Sequence, residues 1–401
     1  MKPFVAALVV TLMVASGSAQ TLDYPQWRGL TRDGSASAFV APKTWPERLT
    51  REWRIDVGEG YATPLLVGAT VYAFVRQGSQ EVLLALNAED GRERWRTAYS
   101  VVYSPARPAA MHGAGPKATP LFHRGRIFSL GVSGIVTAFD GATGKVLWQT
   151  TPPKEAPFYS AASSPLAYEG LIIAHPGNYD PLTAFDVETG EVKWRAGGMG
   201  FFASPILVEV EGVPQIVTVL LDSVIGVSPL DGAVLWSHPW NGGSGSVTPA
   251  VYQGTIIVTG LSAGTMAIRP HRAAGKWSVD PVWHTDDVFA YVTTPVVSNG
   301  ALFGLSHKNK GQLFALDAAT GKTLWVGEPR SAENSAIVKA GNLLFFLNDD
   351  ARLIVATNSR ERFEILRRYT VAESATWAQP LISGRRMFVK DVSALTLWTI
   401  D

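Results

Sequence analysis

One eleven-residue pattern recurs along the whole chain and restricts what it can fold into. The clearest copy is AFDGATGKVLW at residues 138–148, and related stretches occupy residues 85–95, 184–194, 227–236 and 315–325. Their Asp-Gly and Thr-Gly pairs tolerate positive φ angles, and apolar residues alternate on both sides of the pairs. Each copy therefore predicts a β-hairpin that ends in a tryptophan.

These tryptophans are spaced almost evenly. Positions 95, 148, 194, 236, 283 and 325 are separated by 53, 46, 42, 47 and 42 residues, although the copy before Trp283 is degraded. Leu366 takes the place of the tryptophan another 41 residues on. A period in the forties that carries four short strands is typical of a β-propeller blade.

A second marker, a hydroxyl residue usually followed by proline, opens the first strand of each copy. It occurs at Thr63, Thr119, Ser164, Ser204, Thr248, Thr294 and Ser335, with Gln379-Pro380 as the eighth start. The last copy, residues 377–401, ends after three strands, and Trp53 lies 42 residues before Trp95, where a fourth strand is needed. The sequence thus predicts an all-β, eight-bladed propeller of four-stranded antiparallel blades. The N-terminal strand completes the last blade and closes the ring, which removes an open sheet edge.

The pattern A-x-D-x-x-T-G-x-x-x-W at residues 138–148, 184–194 and 315–325 resembles the tryptophan-docking repeat of pyrroloquinoline-quinone (PQQ) propellers. That superfamily contains quinoprotein alcohol dehydrogenases and a non-enzymatic lipoprotein subunit of the outer-membrane β-barrel assembly machinery. The resemblance covers residues 50–401 and is closest in style to exported non-enzymatic propellers related to that lipoprotein. It implies that one tryptophan per blade docks against the neighbouring blade, namely Trp53, Trp95, Trp148, Trp194, Trp236, Trp283 and Trp325.

Charge and cysteine content exclude several classes of protein. The chain has 35 Lys and Arg against 34 Asp and Glu, and no basic run stands out, so nucleic acid is not expected as a partner. It contains no cysteine. Disulfides, thiolate metal sites, a covalent c-type haem, a cysteine nucleophile and a lipid-anchoring cysteine are therefore excluded.

The N-terminus has the pattern of an export signal. Lys2 precedes an apolar run from Phe4 to Ala15, and small residues lead to Ala19. This run is too short for a membrane span, which needs about 20 apolar residues. We expect a signal peptide at 1–19, a lead segment packed on the ring at 20–49 and the propeller at 50–401. The protein is expected to be periplasmic or secreted, with no transmembrane segment and no lipid anchor.

The lead segment carries W-R-G-x-x-R-D-G at residues 27–34, a form that resembles the lead of many exported propellers of this type. Trp27 and Trp45 are expected to hold the segment across one face of the ring. Arg28 and Arg32 are expected to pair with carboxylates.

Two other stretches depart from the repeat. Residues 100–117 form a long connection rich in Pro, Ala and Gly. It is either a lid over the channel mouth carrying Tyr103, Arg107 and His112, or a plain surface insertion. Residues 358–369 lack the turn glycine and the tryptophan, so blade seven is expected to be the least regular.

Enzyme motifs occur without the context they require. Residues 260–264 match the G-x-S-x-G hydrolase elbow, but the residues that follow predict a strand where the elbow needs a helix. Gly321-Lys322-Thr323 lacks the upstream glycine of a phosphate loop. The seven histidines show no metal-ligand spacing. The sequence therefore predicts no catalytic and no metal-ligating residue.

The resemblance also allows a test for a quinone cofactor. In the quinoprotein enzymes the quinone lies between a tryptophan and a vicinal disulfide, calcium is held by carboxylate and amide oxygens, and an Asp is the base. This chain has no cysteine, and Tyr61 stands where many of those enzymes have Glu. No clear base motif is present, although Asp286 and Asp287 precede an inner strand. No cofactor is therefore expected, and PQQ with calcium is the alternative.

The starts of the inner strands should ring one mouth of the channel, where aromatic and charged side chains form a concave surface suited to a ligand or peptide. The candidate binding residues are Tyr61, His112, Lys117, Tyr159, Phe202, Ser246, Asp286, Asp287, Tyr291, Asn334 and Trp377. The sequence favours an exported scaffold that binds an envelope protein or a small ligand without catalysis. The alternative is a PQQ- and calcium-dependent alcohol or sugar dehydrogenase. A third hypothesis is hydrolysis or isomerisation at a metal held by loop histidines and carboxylates.

Overall fold

The fold is a ring of eight β-sheets. The computed structural model describes residues 23–154, 157–177, 180–200, 202–243 and 246–401, and the expected signal peptide lies outside them. In these residues, 32 strands form eight four-stranded antiparallel sheets, which confirms the predicted eight-bladed propeller. No helix in the same ranges is long and apolar enough to cross a lipid bilayer.

Blades one to seven each use four consecutive strands, ordered from the inner to the outer edge. Blades one to four contain β2 (Leu65–Val67), β3 (Thr70–Gln77), β4 (Gln80–Asn87), β5 (Glu93–Ser100), β6 (Leu121–His123), β7 (Arg126–Leu130), β8 (Val136–Asp140), β9 (Val146–Gln149), β10 (Leu166–Tyr168), β11 (Leu171–Ala174), β12 (Leu182–Asp186), β13 (Val192–Ala196), β14 (Ile206–Val210), β15 (Val213–Val219), β16 (Ser223–Val227) and β17 (Val234–Pro239). Blades five to seven contain β18 (Ala250–Tyr252), β19 (Thr255–Gly260), β20 (Gly264–Ala273), β21 (Lys276–Thr285), β22 (Val296–Ser298), β23 (Ala301–Ser306), β24 (Gln312–Asp317), β25 (Thr323–Val326), β26 (Ser335–Ala340), β27 (Leu343–Asn348), β28 (Arg352–Thr357) and β29 (Ile365–Thr370).

Blade eight closes the ring with strands from both parts of the chain. It contains β30 (Leu381–Ser383), β31 (Arg386–Lys390), β32 (Ala394–Thr399) and, as its outer strand, β1 (Thr50–Asp56). The pairing of β1 with β32 runs from Thr50↔Thr399 to Asp56↔Ala394. The prediction that the N-terminal strand completes the last blade is therefore confirmed.

The repeated hairpin owes its shape to its own side chains. In blade two, Oδ1 of Asp140 accepts hydrogen bonds from the backbone N–H groups of Ala142 and Thr143, at 3.1 and 2.8 Å, and from the Thr143 hydroxyl at 2.7 Å. Gly144 then has a φ of 75°, a conformation that a side chain disfavours. The Asp, Thr and Gly of the repeat thus each hold one part of the turn.

The tryptophans lie against the turn of the following blade. A Cβ built on Gly190 would lie 2.6 Å from Cε3 of Trp148, and the indole N–H of Trp148 donates to the carbonyl of Val187 at 3.1 Å. The same packing of indole on turn glycine recurs for Trp53 on Gly91, Trp95 on Gly144, Trp194 on Gly232 and Trp283 on Gly321. The glycine is therefore required both for the turn and for the approach of the ring.

Two blades vary this arrangement. Trp236 donates its indole N–H within its own blade, to Oε1 of Gln215 at 2.6 Å. In blade seven, where the turn glycine is missing, Phe363 stacks on Trp325 with ring centroids 5.3 Å apart. The four strands of blade seven have six residues each, so the expectation that it is the least regular blade is wrong. Aromatic stacking replaces the missing glycine contact.

The hydroxyl residues that open the inner strands link neighbouring blades from blade one to blade five. The backbone N–H of Thr63 donates to Oγ1 of Thr119, and the N–H of Thr119 donates to Oγ of Ser164, at 3.1 and 3.0 Å. In the same way, the N–H of Ser164 donates to Oγ of Ser204, and the N–H of Ser204 donates to Oγ1 of Thr248, both at 2.9 Å. In blades two to five, each hydroxyl therefore satisfies a buried amide of the preceding blade, which explains its recurrence there.

Candidate functional site at the two mouths of the channel

The alternating strand direction gives the ring two different faces. The upper face carries the connections from each outer strand to the next inner strand and the loops between second and third strands. The lower face carries the tight turns between first and second and between third and fourth strands. The inner strands line the channel, so the residues just before them ring its upper mouth.

The lead segment crosses the lower mouth. Tyr24 forms an antiparallel bridge with Leu66 in β2, and Ser37 forms a parallel bridge with Ser383 in β30. Further along the chain, the ring of Trp45 packs edge-on against Phe345, with centroids 6.1 Å apart. The segment therefore covers one face of the ring, and the residues that ring the upper mouth lie at the opposite end of the channel.

Two arginines of the lead segment reach into the channel. Arg28 donates to the carbonyls of Thr294 and Pro295 in blade six, at 3.1 and 2.9 Å. Arg32 donates to the carbonyls of Ser164, Pro165 and Pro205 in blades three and four, at 3.0, 2.8 and 3.1 Å. The expectation that these arginines pair with carboxylates is wrong. The accepting carbonyls belong to residues that immediately precede the inner strands β10, β14 and β22, where no neighbouring strand supplies a donor, and the guanidinium groups do so.

This arrangement leaves positive charge in the channel. Arg28 and Arg32 are only 4% and 6% exposed. Burial lowers the pKa of Arg28 to about 10 despite the opposing effects of Tyr24 and Asp33. Burial, and then the charge of Arg28, lowers the pKa of Arg32 to about 9. Both groups remain protonated at neutral pH, and Trp27 packs against both, with ring-centroid distances of 5.4 and 5.6 Å.

At the upper mouth, the long connection after blade one bends over towards blade eight. It contains a short 3-10 helix, Arg107–His112, whose last residue packs edge-on against Trp377 with ring centroids 4.4 Å apart. Its end is fixed where the carbonyl of Pro116 accepts the backbone N–H of Tyr61 at 2.8 Å. Two predicted site residues, His112 and Trp377, are thereby brought together.

Lys117 is the unusual charge at this mouth. Its Nζ is buried and has no hydrogen-bond partner among the described residues. Burial lowers the pKa of Lys117 to about 8. Burial and then the charge of Lys117 also lower the pKa of His112, against the opposing effect of Glu333. The site therefore holds an ammonium group without a compensating carboxylate contact, next to an imidazole whose neutral form is favoured.

Other predicted residues form smaller groups around the mouth. Tyr159 and Phe202 contact edge-on, with centroids 6.0 Å apart. The rings of Tyr291 and His307 are in contact, with centroids 5.3 Å apart. Ser246 is half-buried in the connection to β18. The side-chain oxygen Oδ1 of Asn334 accepts the Thr293 hydroxyl at 2.9 Å.

The two adjacent carboxylates lie towards the outside of the ring. Oδ2 of Asp287 accepts the Thr323 hydroxyl of the outer strand β25 at 2.8 Å, and Oδ1 of Asp286 lies 3.6 Å from Nε2 of His284 at the end of β21. The Asp286 side chain is 83% exposed. The structure therefore associates both with outer strands rather than with the aromatic groups of the channel mouth.

Neither enzyme motif builds a catalytic arrangement. Gly260 and Gly264 pair across the turn between β19 and β20, which confirms the predicted hairpin in place of a hydrolase elbow. Within the described ranges, no three His, Asp or Glu side chains converge in a way that could hold a metal ion.

The sequence did not reveal how many apolar side chains the upper face exposes. Val102 is 99% exposed, Met111 73% and Phe158 50%. Further exposed apolar residues in the loops of this face are Met199, Leu221, Leu261, Tyr291, Val292 and Val392. They come from loops far apart in the chain, so no local pattern marks them.

Comparison with known proteins identifies the family. The family model described as outer membrane protein assembly factor BamB matches residues 78–327 and 221–368. The BamB protein of Yersinia pestis is 25% identical over 323 residues, which cover 77% of this chain and 68% of that protein. The dehydrogenase subunit of alcohol dehydrogenase (quinone) from Gluconobacter oxydans (strain 621H) is 25% identical over 337 residues. They cover 72% of this chain but only 42% of that subunit, so the chain spans less than half of its length.

Solved structures of both kinds of protein have the same fold as this chain. BamB from Moraxella catarrhalis superposes with a TM-score of 0.64 at 14% identity, covering 88% of this chain and 97% of that one. Quinohemoprotein alcohol dehydrogenase from Comamonas testosteroni gives a TM-score of 0.65 at 14% identity, covering 96% and 81%. With the repeats, the closed ring of eight sheets and the family match in agreement, the chain belongs to the PQQ-repeat β-propeller family described as outer membrane protein assembly factor BamB.

Proposed function

We propose that the protein is a non-catalytic scaffold of the cell envelope that binds another exported protein through its upper face. The observation that carries this proposal is the set of exposed apolar side chains on that face, among them Val102, Met111 and Phe158. Nine of the exposed large apolar side chains of the described residues lie in the loops of this face, against six on the outer strands. A surface of this kind is a candidate for contact with another protein. Because these side chains are spread over the loops of many blades, they suit a broad protein contact better than a single small ligand.

The named relatives support the same direction. The Yersinia pestis relative is called an assembly factor, and the match covers a larger share of it than of the Gluconobacter oxydans dehydrogenase subunit, 68% against 42%. The N-terminal export pattern at residues 1–19 fits a periplasmic location.

The residues present do not fit PQQ with calcium. Asp286 and Asp287 contact outer strands, and the sequence has no cysteine for the disulfide that flanks the quinone in the quinoprotein enzymes. The unpaired ammonium of Lys117 is the one observation that favours an anionic ligand such as PQQ at the upper mouth.

Site-specific photocrosslinking in cells tests the scaffold. A photoreactive residue at Phe158, on the upper face, should trap a discrete partner protein. The matched control is Val234 on the outer strand β17, because both residues are 50% exposed. Equal trapping at both positions would argue against a docking surface on the upper face.

A calorimetric titration of residues 20–401 with PQQ, with and without calcium, separates scaffold from enzyme. A scaffold should give no binding heat under either condition. Tight, calcium-dependent binding, accompanied by reduction of an artificial electron acceptor with alcohols or sugars, would replace the proposal with the quinoprotein alternative.

A further inference from the structure

A cleft remains open at the lower mouth, beside the lead segment. It has a volume of about 380 Å³ and lies between the turn that carries Arg28 and Arg32 and the inner strands of blades four and five. Leu207 and Glu209 of β14 and Val251 of β18 contribute its opposite wall. This volume is within the range of ordinary ligand sites in proteins.

The inner strands at this cleft have exposed side chains and free edges. Leu207 and Val251 are 44% and 41% exposed, whereas the three residues of β30, which the lead segment crosses, are all buried. Since each inner strand is the innermost strand of its sheet, its channel-side N–H and C=O groups lack a strand partner within the blade. An extended peptide could therefore pair with β14.

The protein's own lead segment already pairs with the edges of other inner strands. It forms bridges with the inner strands of blades one, seven and eight, at Leu66, Lys339 and Ser383. These are backbone contacts made by an extended chain entering the channel mouth. Consecutive residues of β14 and β18 line the cleft, so the inner strands of blades four and five adjoin it.

The charges in the cleft favour a negatively charged ligand. The hydrogen bonds of Arg28 and Arg32 go to neutral oxygen atoms, among them the carbonyls of Pro295 and Pro205. Asp33 is already paired with Lys339, whose Nζ lies 2.8 Å from its Oδ2. Glu209 is the remaining acidic residue in the lining, so one positive charge is left in excess. Charges held in a concave site of low dielectric are weakly screened.

We propose that this cleft binds the C-terminal end of an extended apolar peptide. The peptide backbone pairs with the free edge of β14, its apolar side chains pack on Leu207 and Val251, and its terminal carboxylate lies towards Arg28 and Arg32. This site is on the face opposite to the proposed protein-docking surface and does not depend on it.

A labelled synthetic peptide tests the proposal. The probe is an N-acetylated hexapeptide of alternating valine and serine that ends in leucine with a free carboxylate, because alternation presents its apolar side chains to one side. It should bind the full chain at least about tenfold more tightly than the same peptide with a C-terminal amide, which corresponds to about 1.4 kcal/mol. Equal affinity of the acid and the amide would overturn the recognition of a carboxylate.

Two variants locate the site. Val251→Asp should weaken binding of the free acid at least about tenfold, whereas Val234→Asp, at a similarly exposed position on an outer strand, should leave it unchanged. Glu209→Gln should tighten binding, a change that misfolding does not produce. Unchanged affinity in both Val251→Asp and Glu209→Gln would place the peptide elsewhere and overturn the proposal.

Competition with isovalerate, a small branched carboxylic acid, distinguishes a peptide site from a site for small organic acids. It should displace the labelled peptide only weakly, since it cannot pair with the edge of β14. Displacement by isovalerate as effective as that by unlabelled peptide would contradict the strand-pairing part of the proposal.

Discussion

The indole ring of Trp95, at the outer edge of blade one, packs against Gly144 in the turn of blade two. A Cβ on Gly144 would lie 2.4 Å from Cε3 of that indole and 2.8 Å from Oγ1 of Thr97. Gly144 also has a φ of 75°. Its lack of a side chain therefore serves the turn and the contact between blades at once, and the two roles can be separated by mutation.

Gly144→Ala should destabilise the protein more than Gly125→Ala. Gly125 has a φ of 77°, but no atom lies within 4 Å of its Cβ position. Alanine in this conformation costs about 1–2 kcal/mol at either site, and overpacking against Trp95 adds about 1–3 kcal/mol at position 144. Chemical denaturation of both variants measures the difference. Equal losses would mean that Trp95 accommodates the added methyl group at no cost and that the close approach does not require glycine.

Thr119→Val should lower the free energy of unfolding by about 1–3 kcal/mol, because it leaves the buried N–H of Thr63 without an acceptor while keeping the side-chain shape. Thr50→Val, at an exposed position of β1, is the control and should change stability by less than about 0.5 kcal/mol. If Thr119→Val were as stable as the control, the hydroxyl contacts between blades one and five would not be a stabilising feature.

Lys117→Met should stabilise the protein at neutral pH by about 2–3 kcal/mol, because it removes a buried ammonium group whose pKa falls to about 8. Between pH 8 and the unfolded value of 10.5, the unfolded chain keeps the proton that the native state has released. Stability of the parent chain should therefore rise with pH across this interval, and part of the rise should vanish in the variant. Denaturation at several pH values measures both effects.

The control for that experiment is Lys322→Met, in an exposed turn, which should follow the parent chain at every pH. Destabilisation by Lys117→Met at pH 7 would show that the ammonium group has a favourable partner.

Arg32→Met should loosen the lead segment, since the carbonyls of Ser164, Pro165 and Pro205 lose their donor. Because these hydrogen bonds come from a charged group, their loss should lower the free energy of unfolding by more than about 2 kcal/mol. Limited proteolysis should then cleave residues 23–49 faster than in the parent chain. Arg48→Met, at an exposed position in the same segment, should leave the cleavage rate unchanged.

The repeat was sufficient to predict the ring, because the turn glycines and tryptophans of the hairpins are side-chain requirements that leave a trace in the sequence. The partners of Arg28 and Arg32 were not predictable in the same way, since carbonyl groups are present at every residue and carry no signature. Asp286 was expected near the channel from its position before an inner strand, yet a connection from outer to inner strand begins at the outside of the ring. Its place depends on how far the chain has travelled inward, which spacing alone does not give.

Closure by β1 and β32 also fixes the order in which the molecule can be completed. Seven of the sheets are each built from one continuous stretch, so each can form as soon as its residues have been synthesised. The eighth joins Thr50 to Thr399, so it can form only after all the blades between these two residues have been synthesised. Until the last strand arrives, the nascent chain presents open edges at both ends of an incomplete ring. Completion of this sheet is therefore the step that closes the ring and gives every blade a neighbour on both sides.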